Sequence, residues 1–251
     1  EVGLPTKPEQ ADLFQAVYGR HGESPMPVVA AKSPADCFWA AIEAARIALT
    51  YTTPVLLLTD GFLANSSEPW LLPDVEDLPD LVMAFASEPN AVDGDGEPVF
   101  HPYARDPETL ARPIAPPGTP ELMHRIGGLE KADGTGNVSY DSDNHEHMVE
   151  LRARKIAGGA DGLPATEVSG DADPDVLRVG WGSTWGAIDA AAHRLRDDGV
   201  SVGHVHLRHL FPMPADLGDV LRAADYVIVP ELNSGQLIQM LRAEYLVDAQ
   251  G

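Results

Sequence analysis

Apolar positions along the first sixty residues alternate between helical and strand spacing. "ADLFQAVYG" puts Leu13, Phe14 and Val17 on one helical stripe, which Gly19 ends. Thr6 and Glu9 have the T-x-x-E spacing of a capping box, so a helix is expected to start at this turn, each side chain satisfying a free amide. "MPVVAA" reads as a short strand. Ser33 and Pro34 suit the cap and first position of a helix over 35–49. After Thr53-Pro54, "VLLLTD" reads as a fully buried strand that ends on Asp60. Continuous apolar strands between helices predict a parallel sheet covered on both faces. Two strands do not complete such a sheet, so strand-forming sequence is expected upstream of residue 1.

The pattern weakens over 63–175, where Pro and Gly are frequent ("EPWLLPDVEDLPDL", "RPIAPPGTPEL"). Irregular stretches of this length are usually functional or interface-forming. One helix stands out, "NHEHMVELRARKIAG", with Asn144 as its expected cap and Arg152, Arg154 and Lys155 late in the helix, where they match its dipole. "GADGLPATEVSGDADPD" reads as a linker. From about 176 to 251 strict alternation returns: strands at "VLRVGWGS", "VSVGHVHLRHL" and "YVIVPEL", and helices at "AIDAAAHRLRDDG", "PADLGDVLRAA" and "SGQLIQMLRAEYL". That order predicts a three-layer α/β unit with at least three parallel strands. Functional groups of such sheets gather at the carboxyl ends of strands, here "GWGSTWG", "HLRHLFP" and "PELNSGQ".

Charge narrows the function classes. A net charge of -22 over 251 residues argues against nucleic-acid partners and anionic membrane surfaces, both of which attract Lys and Arg. No apolar run approaches the ~20 residues that span a bilayer, and no signal peptide is visible. The single cysteine, Cys37, cannot close an internal disulfide, a usage that fits a reducing, cytoplasmic setting. It lies in "ADCFWAAIEAA" and reads as a small core residue.

Several local motifs invite chemistry. "GWGSTWG" places glycines at 180, 182 and 186, one residue off the dinucleotide fingerprint, so a tight strand-to-helix turn competes with a phosphate site. Trp181 stands two residues before Ser183, so the G-x-S-x-G nucleophile elbow is missing. His204 and His206 share one side of a strand, with His209 beyond; a metal site there lacks a nearby carboxylate pattern. "DGDGE" and "DADPD" read as turns, since the EF-hand glycine and terminal Glu are missing.

A longer string of segments carries a resemblance. "GLPTKPEQADLFQAVYGRHGESP", "TPVLLLTDGFLANSSEPW", "HRIGGLEKADGTGNVSYDSDNHEHMVELRARKI", "GWGSTWG", "HLRHLFPMPADLG" and "VPELNSGQL", in this order, resemble α subunits of 2-oxoacid:ferredoxin oxidoreductases, particularly the actinobacterial 2-oxoglutarate type. The resemblance implies that residues 1–62 end a pyrimidine-type thiamine-diphosphate domain, 63–175 form a connecting and interface region, and 176–251 form a transketolase-C-terminal-like domain. It implies thiamine-dependent oxidative decarboxylation of a 2-oxoacid to an acyl-CoA, with ferredoxin as electron acceptor. A partner β subunit would carry Mg²⁺, the [4Fe–4S] cluster and most of the thiamine-diphosphate site. Pyruvate or a branched-chain 2-oxoacid is the alternative substrate, and a non-catalytic scaffold the alternative role.

The family's cofactor-contacting Glu and substrate-gripping Thr and Arg precede residue 3, so no catalytic residue is assigned within this chain. Where the family reads Ser-Thr before Gly-Leu-Pro-Thr-Lys, Glu1-Val2 stand here. Gly3, Pro5, Thr6, Lys7 and Gln10 are the residues expected nearest substrate and cofactor, with Thr6 and Lys7 set to steady an anion. A lysine opposing a helix dipole needs such a reason, with a solvated surface lysine as the equal alternative. Asp60, Glu231 and Asn233 are expected to serve structure or an interface.

Overall fold

The computed structural model describes residues 9–171 and 173–251. Its elements run α1 (Leu13–Tyr18), β1 (Val28–Ala30), α2 (Asp36–Tyr51), β2 (Leu56–Leu58), α3 (Gly61–Asn65), β3 (Ala91–Val92) and β4 (Pro98–Val99) in the first half. The second half contains α4 (Ser142–Gly158), β5 (Ser169–Gly170), β6 (Val176–Trp181), α5 (Trp185–Asp197), β7 (Val202–Leu207), β8 (His209–Phe211), α6 (Leu217–Ala223), β9 (Tyr226–Ile228), α7 (Gln236–Tyr245) and β10 (Ala249–Gln250).

The larger sheet has the order β10-β9-β6-β7-β5. Strands β10, β9, β6 and β7 are parallel, with β6 and β7 in register from Val176–Val202 to Trp181–Leu207. Strand β5 joins antiparallel at the edge, so the segment expected to be a linker is partly a strand. The fully buried Leu177, Val179, Leu237 and Leu241 form the core of this layer, which Leu13 of α1 also enters.

The smaller sheet departs from expectation. Strand β1 pairs parallel with β2 on one side, and its other side is taken by β8, antiparallel, from the far end of the chain. One further strand of this sheet thus comes from downstream. "VSVGHVHLRHL" is two strands split at Arg208, whose carbonyl accepts the Ala30 amide at 2.8 Å. One extended segment thus serves both sheets and ties them together.

Two helix starts also differ. Glu9 lies outside any helix, and α1 begins only at Leu13; Thr6 lies outside the described residues. The physical reason is that the Gln10 backbone is already committed, donating to the Leu232 carbonyl at 3.0 Å. Helix α4 is capped by Asp141, whose Oδ1 accepts from Asp143 and Asn144 at 2.8 and 3.0 Å. Asn144 instead pins the preceding loop, donating to the Lys131 carbonyl at 2.8 Å. The Ser33 cap forms, its hydroxyl accepting the Asp36 amide at 3.3 Å. "DGDGE" is the turn of the β3–β4 hairpin, with Asp93 Oδ1 accepting two turn amides.

Candidate functional site

The carboxyl ends of β6 and β9 and the starts of α1, α3 and α7 meet at one junction, organised by Gln10. Its side chain donates to the Trp181 carbonyl at 2.7 Å and accepts the Leu232 amide at 3.2 Å. The Asn233 amide donates to the Gln10 carbonyl at 3.0 Å. Gln10 is buried, so each of these groups would cost free energy if left without a partner. At Gly182 (φ +59°) a Cβ would come within 2.6 Å of Gln10 Nε2, so this close crossing depends on glycine.

Glu231 is the capping anion of α7. Its carboxylate accepts the Leu237 and Ile238 amides at 2.9 and 3.1 Å, and also Trp181 Nε1 and Asn233 Nδ2 at 3.2 and 2.8 Å. An acid placed there satisfies free N–H groups and complements the helix dipole. Asn233 Oδ1 adds caps on Gly235 and Gln236 at 2.7 and 2.9 Å. Asp60 caps the short α3 through the Leu63 amide at 3.0 Å and accepts a hydrogen bond from the Ser183 hydroxyl. The expected residues Gln10, Asp60, Glu231 and Asn233 therefore line one seam; Gly3, Pro5, Thr6 and Lys7 lie outside the described residues. Ser183, Trp181 and Gln236, which holds Phe14 N and the Ala11 carbonyl at 2.9 and 2.7 Å, went unassigned in the sequence. For Trp181 and Ser183 the signal was the special backbone of "GWGST", read as a turn or a phosphate site; Gln236 had no such signal.

Beside the seam, a cleft of about 820 Å³ opens between α2, the β7–β8 segment and residues 161–167. Asp36 pairs with Arg208 on its floor. Glu43 accepts a two-pronged contact from Arg46, at 2.7 Å for each bond, and a further bond from His209 at 2.7 Å. Burial alone would raise the Glu43 carboxyl, but these partners outweigh it and hold its pKa at about 2. His206 is kept neutral, with its pKa near 3, by burial and then by the neighbouring His204; its Nε2 donates to the Gly182 carbonyl at 2.9 Å. No group of three His, Cys, Asp or Glu among the described residues is arranged to hold a metal. Cys37 packs with Ala31, Ala40 and Leu63, and burial, then Asp36 and Asp60, push its thiol pKa up, away from the reactive thiolate. No helix among the described residues is long and apolar enough to cross a membrane.

Residues 1–134 match the family described as pyruvate flavodoxin/ferredoxin oxidoreductase, thiamine diphosphate-binding, and residues 174–247 match pyruvate:ferredoxin oxidoreductase core domain II. The chain belongs to this oxidoreductase family. It is 56% identical over 250 residues to the KorA subunit of the Mycobacterium tuberculosis 2-oxoglutarate oxidoreductase, covering 99% of this chain and 37% of that one. The 2-oxoglutarate synthase subunit KorA of Archaeoglobus fulgidus is 29% identical over 239 residues, covering 95% of this chain and 59% of that one. A solved 2-oxoglutarate:ferredoxin oxidoreductase from Magnetococcus marinus, with 2-oxoglutarate, coenzyme A and succinyl-CoA bound, matches with a TM-score of 0.86 at 35% identity, over 99% of this chain and 42% of that one. The chain thus spans between 37% and 59% of the length of these relatives. Within the family chain, the Gln10 seam is where the first matched region locks onto the second.

Proposed function

We propose that this chain is the part of a 2-oxoglutarate:ferredoxin oxidoreductase α subunit that joins the end of its thiamine-diphosphate domain to a transketolase-C-terminal-like domain. The observation that carries the reading is the match over 99% of the chain, at 35% identity, to an enzyme solved with 2-oxoglutarate, coenzyme A and succinyl-CoA. In the proposed reaction, 2-oxoglutarate and CoA give succinyl-CoA and CO₂, and the electron pair released passes to ferredoxin.

The Gln10 seam does not itself enclose thiamine diphosphate. The hollow at the Gln10 seam is only about 30 Å³, against the several hundred of an ordinary cofactor site. No catalytic step is therefore assigned to the seam. Its part is mechanical: Gln10, Asp60, Glu231 and Asn233 hold the segment preceding α1 against the second sheet. Thr6 and Lys7, outside the described residues, are assigned the neutralising of the anionic substrate or CoA, as the family resemblance implies. Following the family resemblance, we assign the four-iron cluster and Mg²⁺ to a β subunit, in the cytoplasm; Cys37, alone in this sequence, is too few to ligate such a cluster.

The test is reconstitution of the full-length α chain with its β subunit, followed by ferredoxin reduction. Turnover that requires thiamine diphosphate, CoA and 2-oxoglutarate together supports the reading. Preference for pyruvate or a branched-chain 2-oxoacid shifts the substrate, and a stable but inactive complex makes the chain a scaffold.

A further inference from the structure

The most conspicuous unexplained feature lies away from the Gln10 seam. Residues 68–86 form a strap that is fastened at both ends and bare between them. At its start, Glu68 accepts the Ala35 amide at 2.9 Å and Trp70 packs on Phe38 with ring centroids 5.2 Å apart. At its end, the Ala86 amide donates to the Ile114 carbonyl at 2.9 Å. Between these anchors the only regular element is one 3₁₀ turn, Val75–Asp77. Leu71, Leu72, Val75 and Val82 are 92%, 81%, 81% and 72% exposed, and Phe85 is exposed beside them. Isolated exposed apolar residues need no explanation, but such a run on one held segment does.

The charge pattern around the strap says what kind of surface covers it. No Lys or Arg occurs between Arg46 and Arg105, whereas ten Asp and Glu do. Five of these, Glu68, Asp74, Glu76, Asp77 and Asp80, are interleaved with the bare apolar side chains. A second copy of this chain would set one acidic strap against another in a two-fold contact, which like-charge repulsion opposes. An anionic membrane surface is opposed for the same reason. Acid-rimmed apolar anchors suit a partner whose apolar surface is edged with Lys and Arg, because the charges steer encounter while the buried anchors supply affinity.

We infer that the strap 68–86 is the docking surface for a partner subunit of the oxidoreductase, which presents an apolar face rimmed by Lys and Arg. Leu71, Leu72, Val75 and Val82 are the anchors. Asp74, Glu76, Asp77 and Asp80 form the rim. Naming the partner as an oxidoreductase subunit rests on the function proposed above.

Hydrogen–deuterium exchange of the full-length α chain, alone and in complex with its co-purified partner subunit, tests this. The strap amides are expected to exchange fast in the α chain alone and about tenfold or more slowly in the complex. Leu71→Asp with Val75→Asp, both on exposed positions, is expected to weaken assembly roughly 100-fold without lowering the melting temperature of the α chain. Glu76→Lys with Asp77→Lys is expected to weaken assembly most at low salt, and tightened assembly would overturn the basic rim. Protection already present in the full-length chain alone, protection that tracks self-association, or no protection in the complex would each overturn the inference. Ferredoxin reduction measured on the same complex separates the two ideas: an active complex with a fast-exchanging strap sinks this one alone, and an inactive complex with a protected strap sinks only the function.

Discussion

Gln10 Nε2 donates to the Trp181 carbonyl at 2.7 Å, joining residues 171 positions apart, and Gly182 gives it room to do so. Gln10→Ala removes this donor and the acceptor for the Leu232 amide, leaving a part-buried N–H without its partner. The expected loss is about 1–3 kcal/mol of stability, read from urea unfolding. Gly182→Ala is expected to be damaging alone and less so on the Gln10→Ala background, because the atom its Cβ would strike is gone. Strictly additive effects would show that the two residues are not coupled.

Asp60 is a second fastening, between α3 and the Ser183 turn. Asp60→Ala removes the acceptor for the Leu63 amide and the Ser183 hydroxyl, and is expected to cost roughly 1–2 kcal/mol. Asp60→Asn keeps an acceptor for Leu63 and is expected to leave turnover of the assembled α/β enzyme nearly intact. Loss of turnover with fold and assembly preserved would move Asp60 into the chemistry.

The anchoring of α1 gives a packing test. Leu13 is fully buried between α1 and the larger sheet's core. Leu13→Ala is expected to destabilise by about 2–5 kcal/mol, from lost transfer free energy and the cavity left behind. Its signature in chemical denaturation is a lowered midpoint with an unchanged slope.

Two groups predict opposite pH effects. Glu43 titrates at about 2 in the folded chain against 4.5 as its ordinary value. Its contribution is therefore full above about pH 4.5 and is lost as pH falls toward 2, on the order of 2–3 kcal/mol. Glu43→Gln is expected to flatten the acid limb of the stability curve. Lys155 is the reverse: burial, then Arg105 and Arg112, lower its pKa to about 8 from 10.5. The unfolded chain holds that proton more tightly, so stability rises between pH 8 and 10.5, and Lys155→Met is expected to remove the rise.

Much of the α/β alternation was legible because it depends on local spacing. The strands at 176–181, 202–207 and 226–228 and the helices that follow them stand where their apolar periods put them. The pairing of β8 with β1 was not legible, because three residues carry too little pattern to reveal an antiparallel partner across the chain. Helix α1 starts later than the local spacing suggests, at Leu13, because Gln10 is bound to residue 232; Thr6 of the capping signal lies outside the described residues. The seam residues Asp60, Glu231 and Asn233 could be named from their places at strand ends. Ser183, joined to Asp60 across 123 positions, could not. The strap showed no period because the surface that would impose one is not its own.

Full-length α chain assembled with its β subunit, supplied with thiamine diphosphate, CoA and ¹³C-labelled 2-oxoglutarate, should yield labelled succinyl-CoA with stoichiometric ferredoxin reduction. Lys7→Ala should raise KM for 2-oxoglutarate or CoA while leaving kcat nearly unchanged, as loss of a uniform-binding contact requires. Mass spectrometry of the acyl-CoA pool decides the matter. Succinyl-CoA as the dominant product is the predicted result, and an intact complex that makes no acyl-CoA from any 2-oxoacid would contradict it.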